Sequence, residues 1–209
     1  MKIPNWDVAV SAVRDSLRRN PNLSLKAREY GSIYRGKRGL MVVDVVASRK
    51  RRYDTDVVPR ILPLYESKAS NLSLLSLSSK SPKWLPLREG EADTMKLLAE
   101  ALIDFGKSKE LTDEEQIVKV WAEDEAASQE VLDIKGIGPV LLQYLRMRSG
   151  ADSLKVDVRV IEELSGLGIP AHWFTSDGLL ELCKEIAKEA RCSLLELDQV
   201  LWHRNAVKK

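Results

Sequence analysis

At 209 residues the chain can bury a sizeable core, either as one large domain or as two small lobes. Its 44% hydrophobic and 31% charged content is that of a globular protein and excludes a wholly disordered chain. A net charge of only +2 excludes a histone-like excess, so any affinity for nucleic acid must come from local clusters of basic side chains.

In chain order, Trp6, Val10, Val13 and Leu17 fall at helical spacing, and Asn20-Pro21-Asn22 stops that helix. The start, Met1-Lys2-Ile3-Pro4-Asn5, lacks the long apolar core of a signal peptide, and no apolar run is long enough for a bilayer. The expectation is a soluble protein of the cytoplasm. Two basic clusters follow, Arg35, Lys37 and Arg38, then Arg49, Lys50, Arg51 and Arg52. Between them residues 39–47 form an aliphatic run that reads by itself as a buried helix or a buried strand. A basic run alone is equally a solvated surface; two runs flanking an apolar element make a candidate phosphate-facing edge.

Residues 72–77 alternate leucine with serine as a strand would, but no partner strand is evident, leaving a short helix or an irregular segment. Residues 92–105 are amphipathic, with Met95, Leu97, Leu98, Ala101, Leu102 and Phe105 expected inward. Thr112-Asp113-Glu114-Glu115 reads as a capping box opening a helix with Ile117, Val120 and Trp121. Ser193-Leu194-Leu195-Glu196 reads as a second, ahead of Leu197, Leu201 and Trp202. Cys183 and Cys192, with only His172 and His203 as histidines, give neither a disulfide framework nor a metal quartet. The expected class is all-α.

The chemistry-bearing stretch is Leu132-Asp133-Ile134-Lys135-Gly136-Ile137-Gly138-Pro139-Val140. One helix ends, a Gly-aliphatic-Gly turn follows, and a new helix starts with Pro139 in its first turn, where a missing N–H costs nothing. Two glycines let the backbone approach a ligand closely, and the new helix offers unpaired N–H groups and a positive dipole end. Together these suit a phosphate oxygen; alone, the same residues serve equally as a turn in a helical bundle. Further on, Lys155-Val156-Asp157-Val158-Arg159 places Asp157 where a helix begins, as an N-cap. A capping carboxylate is also a preorganised anion, able to stabilise the cationic sugar that forms when an N-glycosidic bond breaks.

Residues 132–138, followed by Val156-Asp157-Val158-Arg159, resemble the signature of the endonuclease III superfamily, the helix-hairpin-helix DNA glycosylases. Fainter likeness extends from about Leu40 to Trp202, through Asp56-Val57-Val58-Pro59, Leu87-Arg88-Glu89-Gly90 and Leu197-Asp198-Gln199-Val200-Leu201-Trp202. The resemblance implies a two-lobe helical glycosylase fold. Residues 40–150 would form a central lobe ending in the hairpin, and residues 1–39 with 151–209 a second lobe.

It implies removal of a damaged, mismatched or modified base from double-stranded DNA by a monomer working at the nucleoid, with Asp157 catalytic. Gly136, Ile137, Gly138 and Val140 would lie against the DNA backbone, with Arg159 also contacting DNA. A side chain between Lys50 and Tyr53 would fill the gap left by the extruded nucleotide: Tyr53 by stacking, Arg51 or Arg52 by reaching a phosphate or the orphan base. Tyr144 is a candidate for the base pocket or for the core.

Two departures matter. Bifunctional relatives carry a nucleophilic lysine where this chain has Val140, so a hydrolytic, monofunctional reaction is implied; Lys135 and Lys155 read as surface lysines. Two cysteines cannot supply the four ligands of the iron–sulfur loop that many relatives carry, so no cofactor is expected. Two other readings fit the same residues: a catalytically silent lesion-sensing module, and a helical protein–protein adaptor in which the hairpin is coincidental.

Overall fold

A computed structural model describes residues 3–204. Those residues are helical throughout, without a strand. None of their helices is long and apolar enough to cross a membrane. The chain forms two compact units: Gly31–Ala151, and Met1–Tyr30 together with Asp152–Lys209.

The first unit contains α3 (Arg38–Ala47), a π-helical stretch (Tyr53–Ile61), α4 (Leu62–Lys68), α5 (Leu74–Ser79), α6 (Glu91–Ser108), α7 (Glu114–Glu123), α8 (Ser128–Leu132) and α9 (Pro139–Ser149). The aliphatic run is a helix, α3, buried on every side and packed against α6, α9 and α5. Such a run shows no amphipathic period because it has no solvent face. Gly39 donates its N–H to the Leu72 carbonyl at 2.6 Å, and a Cβ there would run into the carbonyl oxygens of Leu72 and Ser73. This close approach seats the serine-leucine segment, which is the short helix α5. Its first turn is capped by Ser73 and by the Glu114 carboxylate, which accepts from the N–H groups of Leu74 and Leu75.

Residues 31–39, assigned to the other lobe on sequence, fold with this unit because Arg38 is anchored inside it. Its guanidinium grips Glu115 through both terminal oxygens and donates to the carbonyls of Gly31 and Arg148. The expected capping box at Thr112 is displaced by one residue: Asp113 caps α7, since Glu115 is engaged by Arg38 instead. Leu97, expected inward, is exposed; the buried face of α6 runs through Met95, Leu98, Ala99, Leu102 and Phe105.

The second unit contains α1 (Trp6–Arg19), α2 (Asn22–Glu29), α10 (Val158–Gly166), a 3-10 turn (Ala171–Trp173), α11 (Ser176–Ala190) and α12 (Leu194–Arg204). Helix α12 is its hub, packed against α1, α2, α10 and α11. Val13, Leu164, Ile186, Leu197 and Leu201 are among its fully buried side chains. The capping box at Ser193 is formed: its hydroxyl accepts from the Glu196 N–H, and the Ser193 N–H donates to the Glu196 carboxylate.

Burial alone would raise the Glu115 carboxyl, but hydrogen bonds from Arg38 and the Gly36 N–H, with the charges of Arg38 and Arg35, outweigh it and hold the group below the usual glutamate range. A depressed folded value means that this contribution to stability is present above the unfolded pKa and is lost as pH falls through the folded one. Wild type and Glu115→Gln should therefore differ in urea midpoint at neutral pH and converge as pH is lowered below the usual glutamate range.

Candidate functional site

Helix α8 ends at Leu132 and α9 begins at Pro139; the turn between them contains both glycines. Gly136 has φ +100°, a conformation that side chains rarely adopt, and a Cβ there would collide with the Arg49 guanidinium. Gly138 is different. Its φ of −121° suits any residue, and a Cβ on it would meet nothing within 4 Å. Neither backbone conformation nor a steric clash therefore requires glycine at 138, where it stands as the N-cap of α9. Ile137 is buried, Val140 is half-exposed and Lys135 is exposed.

The turn is tied down from behind. The Thr94 hydroxyl donates to the Lys135 carbonyl at 2.9 Å, and Arg49 Nη1 donates to the Gly136 carbonyl at 3.2 Å. At the start of α9, Gly138 supplies no side-chain cap and Pro139 has no N–H. The other amides of a helix's first turn have no intrahelical acceptor, and amides so placed suit an anion.

The basic loop is less uniform than its sequence. Arg51 is an internal tie: its side chain is 9% exposed and bonds to the Ala47 carbonyl and to Glu91, with Nη2 at 2.7 Å from Oε2. Arg88 donates to the carbonyls of Arg49 and Lys50, and Lys50 takes a left-handed conformation with φ 52°. Lys50 and Arg52 are the exposed cations of the loop. Tyr53 is half-buried, and its hydroxyl accepts from Arg148 Nη2 at 2.8 Å.

Tyr144 lies in the core, 3% exposed, donating its hydroxyl proton to Asp44 at 2.9 Å and accepting from Arg148. Arg148 also lies 3.1 Å from the Asp44 carboxylate and over the rings of Tyr34 and Tyr144. Burial first, then the Asp44 charge, pushes the Tyr34 and Tyr53 phenols up, so both stay protonated at neutral pH. A ring held this way has no free face to offer a base; Tyr144 belongs to a buried polar cluster that orients Tyr53.

In the second unit Asp157 caps α10. Its Oδ1 accepts from the N–H groups of Arg159 at 3.0 Å and Val160 at 3.3 Å, and its Oδ2 lies 3.7 Å from Lys155 Nζ. The Lys155 side chain is only 17% exposed, so the surface reading of that lysine is corrected. The pairing was unreadable in sequence because two residues after a loop carry no fixed geometry. The Arg159 guanidinium stacks on Trp202 at 3.6 Å. Thus the carboxylate is held half-exposed, one oxygen by the helix start and the other by an ammonium.

Cys183 and Cys192 have thiols pushed up to about 12, mainly by burial, and so hold their protons. Among the described residues no group of His, Cys, Asp or Glu is arranged to hold a metal ion. Sequence reasoning missed Glu91 and Thr94, whose partners lie tens of residues away, and misassigned Arg49 as phosphate-facing and Lys155 as a surface lysine.

No family model and no curated protein matches the sequence. In structure the chain is similar to the 8-oxoguanine DNA glycosylase of Methanocaldococcus jannaschii, with a TM-score of 0.56 and 14% identity over 95% of this chain and 94% of that one. The fold is that of a helical DNA glycosylase.

The two glycines should respond differently to the same substitution. Gly136→Ala should cost about 1–2 kcal/mol or more in urea unfolding, since it combines a left-handed alanine with a collision. Gly138→Ala should change stability by less than about 1 kcal/mol, because only a modest change in capping preference is at stake.

Proposed function

We propose that this protein is a DNA glycosylase of the endonuclease III superfamily that hydrolyses the N-glycosidic bond of an extruded damaged, mismatched or modified base. The observation that carries the reading is Asp157: a half-exposed carboxylate held by two backbone N–H groups and Lys155, in a chain with a helical glycosylase fold.

A flipped nucleotide exposes C1′ of its sugar. As the bond from C1′ to the base lengthens, its electron pair leaves with the base and positive charge spreads over C1′ and the ring oxygen. Asp157 faces that charge with a carboxylate already fixed by two N–H groups and Lys155, so little reorganisation accompanies the barrier. Water then adds to C1′, and the proton it releases is balanced by the one the departed base takes up from solvent, leaving an abasic site and the free base. Val140 stands where bifunctional relatives carry an amine, so water rather than lysine is the nucleophile. The start of α9, with Gly136, Ile137 and Gly138, would hold a backbone phosphate, while Lys50 and Arg52 supply exposed cations for further phosphates. The reaction needs no cofactor. On this reading the protein acts as a monomer on chromosomal DNA in the cytoplasm.

The test is a panel of labelled duplexes carrying uracil, a thymine mismatch, an oxidised purine or an alkylated base, incubated with protein and then treated with alkali. Wild type should give breaks on at least one substrate, and Asp157→Asn should lower that rate by about 100-fold or more while DNA affinity persists. Asparagine is itself a good N-cap, so the variant tests chemistry rather than folding. Binding without breaks on any duplex would favour the lesion-sensing module; absence of salt-dependent affinity would refute the DNA reading altogether.

A further inference from the structure

Arg49 sits in the basic run expected to face phosphates, yet its contacts lie within the protein. Nη1 donates to the Gly136 carbonyl at 3.2 Å, and Nε lies 3.8 Å from Oε1 of the fully buried Glu91. Its side chain is 27% exposed, and its own carbonyl accepts from Arg88. The fit is close enough that a single methyl group on Gly136 would meet the guanidinium. A planar fork can satisfy a carbonyl and a carboxylate at once; a lysine ammonium in the same place cannot span both.

The turn it holds needs holding. Gly136 takes a backbone conformation open mainly to glycine, and glycine has more freedom to lose than any other residue. An anion site built from amides binds well only when those amides are already fixed, because ordering on binding subtracts from affinity.

We propose that Arg49 is the positioning residue of the hairpin: it locks the Gly136 carbonyl so that the amides beyond it are preset for a DNA phosphate, and it makes no phosphate contact itself. This rests on the DNA-binding reading above and divides the basic loop by role. Arg49 and Arg51 brace the structure from inside, while Lys50 and Arg52 meet the nucleic acid.

The experiment compares Arg49→Met, Arg49→Lys and Lys50→Met in two readouts. Amide hydrogen exchange on the free protein reports the turn without DNA. Affinity for an undamaged duplex across a salt series reports phosphate contacts, since each lost cation–phosphate contact lowers the slope of log K against log salt by about one. Both Arg49 variants should speed exchange across residues 135–138. Both should weaken binding by about tenfold, some 1.4 kcal/mol, at every salt concentration, with the slope unchanged. Lys50→Met should leave exchange alone and reduce the slope by about one.

Normal exchange in both Arg49 variants would overturn the proposal. So would a slope reduced by about one in Arg49→Met with affinity retained in Arg49→Lys, because a phosphate contact needs only the charge. Arg49→Lys keeps a cation beside Glu91, so a methionine variant that fails to fold leaves the lysine variant to decide. A wild type without salt-dependent binding would instead refute the functional reading, and the exchange data would still settle what Arg49 does to the turn.

Discussion

The buried carboxylate of Glu91 is the fixed point of the Gly31–Ala151 unit. Fully removed from water, it must be paired to remain charged, and it draws in Arg51, Arg49 and the Arg88 N–H. Those partners belong to the loop after α3 and to the approach to α6. One carboxylate therefore sets the course of the basic loop and, through Arg49, the carbonyl of Gly136. Thr94, one turn along the same helix, takes the neighbouring carbonyl of Lys135. The hairpin turn is shaped by α6, although no residue of α6 has any ligand-binding character in sequence.

A second buried charge works in the same unit by the same logic. Asp44 on α3 is met by Arg148 and the Tyr144 hydroxyl, and Arg148 reaches on to Tyr53. The π-helical stretch beginning at Tyr53 thus starts from a residue pinned to the core. Of the exposed members of the loop, Lys50 lies between two residues held by Glu91, and Arg52 lies between Arg51, held by Glu91, and Tyr53, held by Arg148. Preorganisation of this kind lowers the ordering cost when a polyanion binds. In the other unit Asp157 is arranged more simply, with a helix start for one oxygen and a lysine for the other.

Much of this was legible in the chain itself. The helical class follows from apolar spacing around Val10, Leu98 and Ile117, and from the box at Ser193, because these patterns depend only on neighbours within a turn or two. The Gly-Ile-Gly turn and the capping role of Asp157 are equally local: a glycine that needs a left-handed backbone and an aspartate preceding a helical stretch have few other uses in that order. By contrast, the identity of residues 39–47 was open, since a run buried on all sides carries no period that separates helix from strand.

What only the tertiary structure decided is which charges face solvent and which hold the protein together. Arg49, Lys50, Arg51 and Arg52 are four like charges in a row, and sequence treats them alike. Their fates differ because Glu91, about forty residues on, is brought beside two of them by the packing of α3 on α6. Likewise Tyr144 became a core hydrogen-bond donor because Asp44 lies 100 residues earlier on the helix that packs against its own. Local rules dictate elements and caps. Long-range pairing assigns the roles of charged and polar side chains, because a buried charge takes whatever partner the packed helices deliver.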